Sequence, residues 1–195
     1  MNNSKAIVFD AYGTLFDVNS AAEKSKDKIG NKWENFANFW RTTQLEYTWL
    51  RSLMKKHKNF WQITEDSLDK SMETFQIDKS LRNDLLSLYK ELSPYPEVKN
   101  VLENLKKKSF KLAILSNGTP ELLNHLVKSS DLENLFDDIF SVEEVKIYKP
   151  DPKVYDMPVN KYKVSKGEIT FLSANTWDCL LYTSDAADEG LGVDL

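Results

Sequence analysis

The sequence predicts an α/β fold, a parallel sheet whose strands alternate with helices and which is interrupted once by an all-helical insertion. Three observations predict it. Short apolar runs ("KAIVFD", "KLAILS", "DDIFS" and "EITFLS") are bounded by polar or turn residues and separated by stretches of helical periodicity. From about Asn19 to Leu92 the pattern is helical throughout, with no strand-like run. Asp10, Ser116 and Ser173 each close a predicted strand. Three sequence-distant polar residues therefore converge on the crevice outside the carboxyl ends of the strands, where open α/β sheets bind ligands.

The elements follow in order. "KAIVFD" is a short apolar run that ends in an acid and a Gly turn, as a buried parallel strand does. Within the insertion, Trp33, Phe36, Ala37 and Trp40, with Tyr47 and Met54 after them, recur at three- and four-residue steps. Leu81, Leu85, Leu88, Tyr89 and Leu92 do the same. Amphipathic helices in succession, with no strand between them, read as a helical insertion in a sheet domain. After "SPYPE" the alternation resumes. "EVKNVLENLKKK" is a helix, "KLAILS" a strand, and "TPELLNHLVKSS" a helix with Thr119 as N-cap and Pro120 at its first position. "DDIFS" is a short strand, "DPKVYDMPVNKYK" opens as a helix that Pro158 should disturb, and "EITFLS" is the last clear strand. The alternation implies Rossmann-like winding. It divides the chain into a core of residues 1–18 and 93–178 and a cap of residues 19–92.

Composition narrows the setting. The 195 residues suffice for one core domain plus an insertion. No run is long enough to span a bilayer, and "MNNSKAIVFD" lacks the apolar region of a signal peptide. One cysteine excludes an internal disulfide framework and fits a reducing cytoplasm. The lysines of "NLKKKSF" suit the solvated end of a helix, and no basic stripe points to nucleic acid. The tail "CLLYTSDAADEGLGVDL" has neither helical nor strand period and reads in frame as a translated transposon-library sequencing adaptor. Residues 179–195 are therefore expected to be non-native. Without Asp185, Asp188, Glu189 and Asp194 the 30 acids fall to the number of Lys plus Arg, 26, so the formal negative charge carries no information about partners.

Each candidate site residue has a bland reading beside the chemical one. Asp10, before Gly13 and Thr14, is either an Asx turn or a carboxylate nucleophile held by fixed donors in a closed crevice. Ser116-Asn117-Gly118 is either a capped strand-to-helix turn or an anion grip of hydroxyl and backbone N–H groups. Lys149, in "VKIYKPDPKVY", is either an exposed lysine before a turn or an ammonium that keeps Asp10 ionised. Tyr155, taken alone, is a core aromatic. Ser173, Asn175, Trp177 and Asp178 in "FLSANTWD" form either a polar loop around a packed Trp or a set that orients Asp10 and a water. Arg41, within the cap, is either solvated among aromatics or a permanent positive charge reaching a leaving anion. His57 and His125 read as surface residues, since neither has the neighbours that metal spacing requires.

Together, "FDAYGTLFDV", "QLEYTWLRSLM", "LAILSNG", "YKPD" and "SANTWD" resemble the L-2-haloacid dehalogenases, the (S)-2-haloacid dehalogenases of the haloacid dehalogenase-like (HAD-like) hydrolase superfamily. The resemblance covers about Lys5 to Asp178. It implies a HAD-like Rossmannoid core with a helical cap, no metal or other cofactor, a small 2-haloacid and water as reactants, and a homodimer. It implies that Asp10 is the nucleophile at C2. Ser116 and the backbone N–H groups near Ala11, Tyr12 and Asn117 would hold the substrate carboxylate. Arg41 and Asn117 would cradle the halide, and Lys149, Ser173, Asn175 and Asp178 would order Asp10 and the water, with Asp178 as base. Thr14 and Tyr155 complete the matched set. Tyr12, Leu45, Phe60 and Trp177 match the apolar wall around the carbon chain.

Phosphatases of the superfamily carry an acid two residues after the nucleophile, where this chain has Tyr12. A departing halide needs no proton, whereas a departing alkoxide does, and general acid catalysis contributes roughly 10²–10⁴-fold. The Tyr therefore handicaps phosphate ester hydrolysis and leaves halide displacement untouched. Two departures from the family pattern stand out. Thr42 occupies a position where Gln is expected, which should alter the pocket wall. The C-terminal strand and helices of the family are expected to be missing after Asp178. Three alternatives stay open at this stage. They are a related hydrolase opening azetidine-2-carboxylate, a Mg²⁺-dependent phosphatase, and a non-catalytic binding protein.

Overall fold

The computed structural model describes residues 4–179. A four-stranded, wholly parallel sheet has the order β3-β2-β1-β4, with β1 Ala6–Phe9, β2 Lys111–Ser116, β3 Asp138–Ser141 and β4 Ile169–Leu172. The central strand β1 is buried at every position, as a strand covered on both faces must be. Its register sets Phe9 beside Ile114 on one side and Leu172 on the other, so β1 and β4 end level while β2 runs two residues farther, to Ser116. The chain steps outward from β1 to β2 to β3 and then returns to the far side of β1 for β4. The reversal opens a crevice between the ends of β1 and β4.

The insertion between β1 and β2 is helical. It comprises α1 Ser20–Glu23, α2 Lys26–Ile29, α3 Trp33–Leu53, α4 Phe60–Phe75 and α5 Arg82–Tyr89. Its core is aromatic and aliphatic, with Phe36, Trp40, Phe60, Ile63, Leu68, Leu85 and Tyr89 all buried. The chain leaves and re-enters side by side. Asp17 N–H donates to Ser93 O at 2.8 Å, and Tyr95 N–H donates to Leu15 O at 3.1 Å. After re-entry come α6 Val98–Lys107, α7 Pro120–Ser129 and α8 Pro152–Tyr162. Thr119 caps α7 by accepting the Leu122 N–H, with Pro120 at the first position.

Two expectations are corrected. Pro158 does not break α8, which runs through it. A proline there forfeits one backbone bond, but Val154, Tyr155, Met157 and Pro158 are buried together, and that packing holds the helix. His57 is not a surface residue. Its side chain is 16% exposed and bonds Glu143; His125 is exposed as expected. Among the described residues no helix is long and apolar enough to cross a membrane. Of the tail expected to be non-native, all but Cys179 lies outside the described residues.

Leu123, fully buried on α7, tests the packing. Leu123→Ala should cost about 2–5 kcal/mol in urea unfolding, the range for cavity-forming core truncations.

Candidate active site

Asp10 follows the last residue of β1, and its N–H donates to Leu172 O at 2.9 Å, which extends the ladder by one bond before the chain turns. Its carboxylate therefore stands at the rim of the crevice, 5% exposed. Gly13, at φ +90°, makes a turn that a side chain would strain. That turn brings Thr14 back over Asp10. Thr14 Oγ1 donates to Asp10 Oδ2 at 3.3 Å and accepts the Ala174 N–H at 2.9 Å. Asn175 Nδ2 donates to the same Oδ2 at 2.7 Å, while among the described residues Oδ1 receives only Lys149 Nζ, at 2.9 Å. Oδ2 is thus tethered twice, and Oδ1 keeps a lone pair to spare.

Lys149 is the centre of the cluster. It is 1% exposed, and its Nζ also lies 2.9 Å from Asp178 Oδ2. Burial alone would depress the ammonium, but the Asp10 and Asp178 carboxylates overcome it and hold the Lys149 pKa above its usual value. Asp178, fully buried, also accepts the Tyr155 hydroxyl on Oδ1. Burial raises its carboxyl, against the pull of Lys149. The backbone of Lys149 is held too, its N–H donating to Asn117 Oδ1 at 3.0 Å. That bond uses the Asn117 side-chain oxygen and leaves its amide N–H groups for another acceptor.

The anion grip lies alongside. Ser116 ends β2, fully buried, and its Oγ accepts the Gly118 N–H at 3.1 Å. Among the described residues, no acceptor takes the backbone N–H groups of Ala11, Tyr12 and Asn117. Gly118 is required for space, because a Cβ there would stand 2.8 Å from the Tyr12 ring. Burial holds the Tyr12 phenol well above its ordinary pKa, so it stays neutral. Its hydroxyl has no partner among the described residues.

The cap closes the other side. Arg41, on α3, donates through Nη2 to Tyr12 O at 3.1 Å and through Nη1 to Gln44 Oε1 at 3.0 Å. The Phe60 ring lies 5.1 Å from the Tyr12 ring, and Trp177 packs edge-on against Trp49 at 5.6 Å. Leu45 lies half-buried on α3, one turn beyond Arg41.

The structure thus brings Asp10, Thr14, Lys149, Tyr155, Asn175 and Asp178 into one bonded network. Ser173 joins it indirectly, its Oγ accepting the Asn175 N–H at 3.1 Å. Thr42 is exposed, so it does not alter the wall as expected. Sequence reasoning missed Gln44, which holds Arg41 from within the cap. It is buried and donates to Thr64 Oγ1 at 2.7 Å and Tyr89 Oη at 2.9 Å. Its one sequence signal is its position a helical turn after Arg41. Asp10 and Asp178 are the carboxylates that could hold a cation here, and the Lys149 ammonium stands between them.

A family model described as haloacid dehalogenase-like hydrolase matches residues 4–180. (S)-2-haloacid dehalogenase 4A of Burkholderia cepacia is 42% identical over 180 residues, covering 91% of this chain and 78% of the relative. (S)-2-haloacid dehalogenase 1 of a Pseudomonas species is 44% identical, covering 91% and 79%. Among solved structures, the L-2-haloacid dehalogenase of Xanthobacter autotrophicus with chloropropionic acid covalently bound superposes with a TM-score of 0.85 at 37% identity. That match covers 93% of this chain and 74% of the other.

Lys149→Met would leave Asp10 and Asp178 buried without their cation, a loss of roughly 3–5 kcal/mol. Because the Lys149 pKa is raised, its contribution is complete below the usual lysine value and disappears only on titration above it, so neutral pH shows the full deficit. In the variant Asp178, already raised by burial, rises further and takes up a proton more readily folded than unfolded. The deficit should therefore shrink between about pH 7 and about pH 5. Urea melts at the two pH values, beside the parent protein, check this.

Proposed function

The chain belongs to the haloacid dehalogenase-like hydrolases, and we propose that within them it is an (S)-2-haloacid dehalogenase, hydrolysing short L-2-haloalkanoic acids to D-2-hydroxy acids. The observation that carries this reading is the arrangement at Asp10. A carboxylate is held by Lys149, Asn175 and Thr14, with neutral Tyr12 where a phosphatase needs an acid.

The geometry supports the following roles. The three unspent N–H groups of Ala11, Tyr12 and Asn117, with the Ser116 hydroxyl, suit the substrate carboxylate. That placement sets C2 before Asp10 and turns the carbon–halogen bond toward Arg41 and the Asn117 amide. Asp10 attacks C2 from behind; the C–O bond forms as the carbon–halogen bond breaks, and the halide departs with its electron pair. Configuration at C2 inverts. Tyr12, Leu45, Phe60 and Trp177 wall the carbon chain and exclude water.

Water then adds to the carbonyl carbon of the Asp10 ester. Asp178 takes its proton, favoured by the burial that raises its carboxyl. Breakdown of the adduct cleaves the bond between that carbon and the ester oxygen as Asp178 returns its proton to that oxygen; the hydroxy acid leaves with an oxygen that came from Asp10, and Asp10, left as the acid, releases the reaction's one net proton to solvent. Lys149 holds Asp10 ionised before attack, and Thr14 and Asn175, which bond Oδ2, stabilise the oxyanion that forms on that oxygen during hydrolysis. Thr14, Ser173 and Tyr155 orient Asp10, Asn175 and Asp178.

Cytoplasmic placement is supported by the cysteine-poor composition. A homodimer is supported by Leu50, Leu53 and Met54, exposed together near the end of α3.

The test is free halide from the L and D forms of 2-chloropropionate with excess EDTA present. Release from the L form alone, undiminished by EDTA, is expected. Release abolished by EDTA, or equal from both forms, would contradict the reading. Asp10→Asn should lower the rate by roughly 10⁴-fold or more, the scale on which loss of a nucleophile acts.

A further inference from the structure

The segment that carries Lys149 also carries Glu143, and Glu143 is directed at the helical insertion rather than at the reacting centre. Its Oε1 accepts the backbone N–H of Phe60, the first residue of α4, at 3.1 Å. Its Oε2 accepts His57 Nε2 at 2.9 Å and Lys146 Nζ at 3.1 Å. The Glu143 and His57 side chains are 11% and 16% exposed, whereas Lys146 is 65% exposed. Tyr148 binds the same part of the cap. Its N–H donates to Ser52 Oγ at 3.1 Å, its hydroxyl donates to Lys58 O at 2.5 Å, and its ring lies 5.1 Å from that of His57.

The placement has a physical logic. The first N–H groups of a helix have no partner within it, and its positive end favours an anion. Asn59, the N-cap of α4, takes the N–H of Gln62. The N–H of Phe60 is left to a carboxylate from the core. Burial alone would raise the Glu143 carboxyl, but the bonds from His57, Lys146 and the Phe60 amide more than offset it and hold it below its ordinary value. The helical insertion is therefore fastened at this clasp as well as where its chain enters and leaves at Asp17 and Ser93 and through Arg41 to Tyr12 O. Phe60, fully buried, lies beside Tyr12, two residues from Asp10.

We propose that Glu143 is a positioning residue: reaching from the Lys149 segment to the start of α4, and steadied by His57, it fixes Phe60 against Tyr12 and so sets how closely the apolar wall meets the substituent on C2 of the substrate. The proposal rests on the dehalogenase reading for its substrates, though the clasp itself does not.

The readout is the ratio of kcat/KM for L-2-chloropropionate to that for chloroacetate, which lacks the methyl group. The ratio is independent of the fraction of active protein, so a variant that merely folds less well leaves it unchanged. An apolar pocket discriminates one such carbon by about 10-fold or more, and Glu143→Ala should remove most of that discrimination. Glu143→Gln, which keeps an acceptor for the Phe60 N–H, and Lys146→Ala should stay within about twofold of the parent ratio. A parent-like ratio in Glu143→Ala, or an equal fall in Lys146→Ala, overturns the proposal. Hydrogen exchange at the Phe60 amide is measured on the same proteins and needs no turnover. If the parent releases no halide from either acid, the dehalogenase reading fails and exchange alone decides: faster exchange in Glu143→Ala sustains the clasp, and unchanged exchange overturns it.

Discussion

The Lys149 ammonium, buried between Asp10 and Asp178, is the interaction on which the rest of the site depends. An isolated charge at this depth would carry a desolvation penalty of several kcal/mol. Two carboxylates facing each other without a cation would each resist ionisation. The triad resolves both problems only as a set, and only because other groups complete it. Tyr155 satisfies Asp178, Asn175 and Thr14 satisfy Asp10, and Asn117 holds the Lys149 backbone. A nucleophilic carboxylate thus remains available in a crevice that has little water to stabilise it.

The fold delivers these groups from four separate stretches of chain. Asp10 follows β1, Ser116 ends β2, Lys149 lies between β3 and α8, and Asn175 and Asp178 follow β4. Parallel strands whose carboxyl ends share one edge of the sheet bring them together, and the reversal of strand order beside β1 leaves the gap in which they meet. The helical insertion supplies what the sheet cannot, namely an arginine reaching the Tyr12 carbonyl and an apolar wall led by Phe60. Neither half makes the site alone, so the contacts that hold the insertion on the sheet bear directly on chemistry.

Much of this was legible in the sequence. The four strands were readable because parallel strands buried on both faces are short apolar runs, and Asp10, Ser116 and Ser173 stood at their ends. The quoted motifs carried the polar network around Asp10, since each lies in one contiguous stretch. What escaped was set by contact across the fold. Gln44 is one polar residue among several on α3, and only packing against Thr64 and Tyr89 marks it. His57 read as exposed because its partner Glu143 is far away in sequence. Pro158 reads locally as a disturbance of α8, and burial of its neighbours overrides that propensity.

The central claim is that Asp10 itself bonds to the substrate, and the fate of oxygen tests it most directly. A single turnover with enzyme in excess, run in ¹⁸O-labelled water on L-2-chloropropionate, should place the label in the Asp10 carboxylate and leave the product hydroxyl unlabelled, as read by mass spectrometry of the peptide and the acid. Label appearing at once in the product, with none in the peptide bearing Asp10, would mean that water attacks C2 directly and would contradict the account.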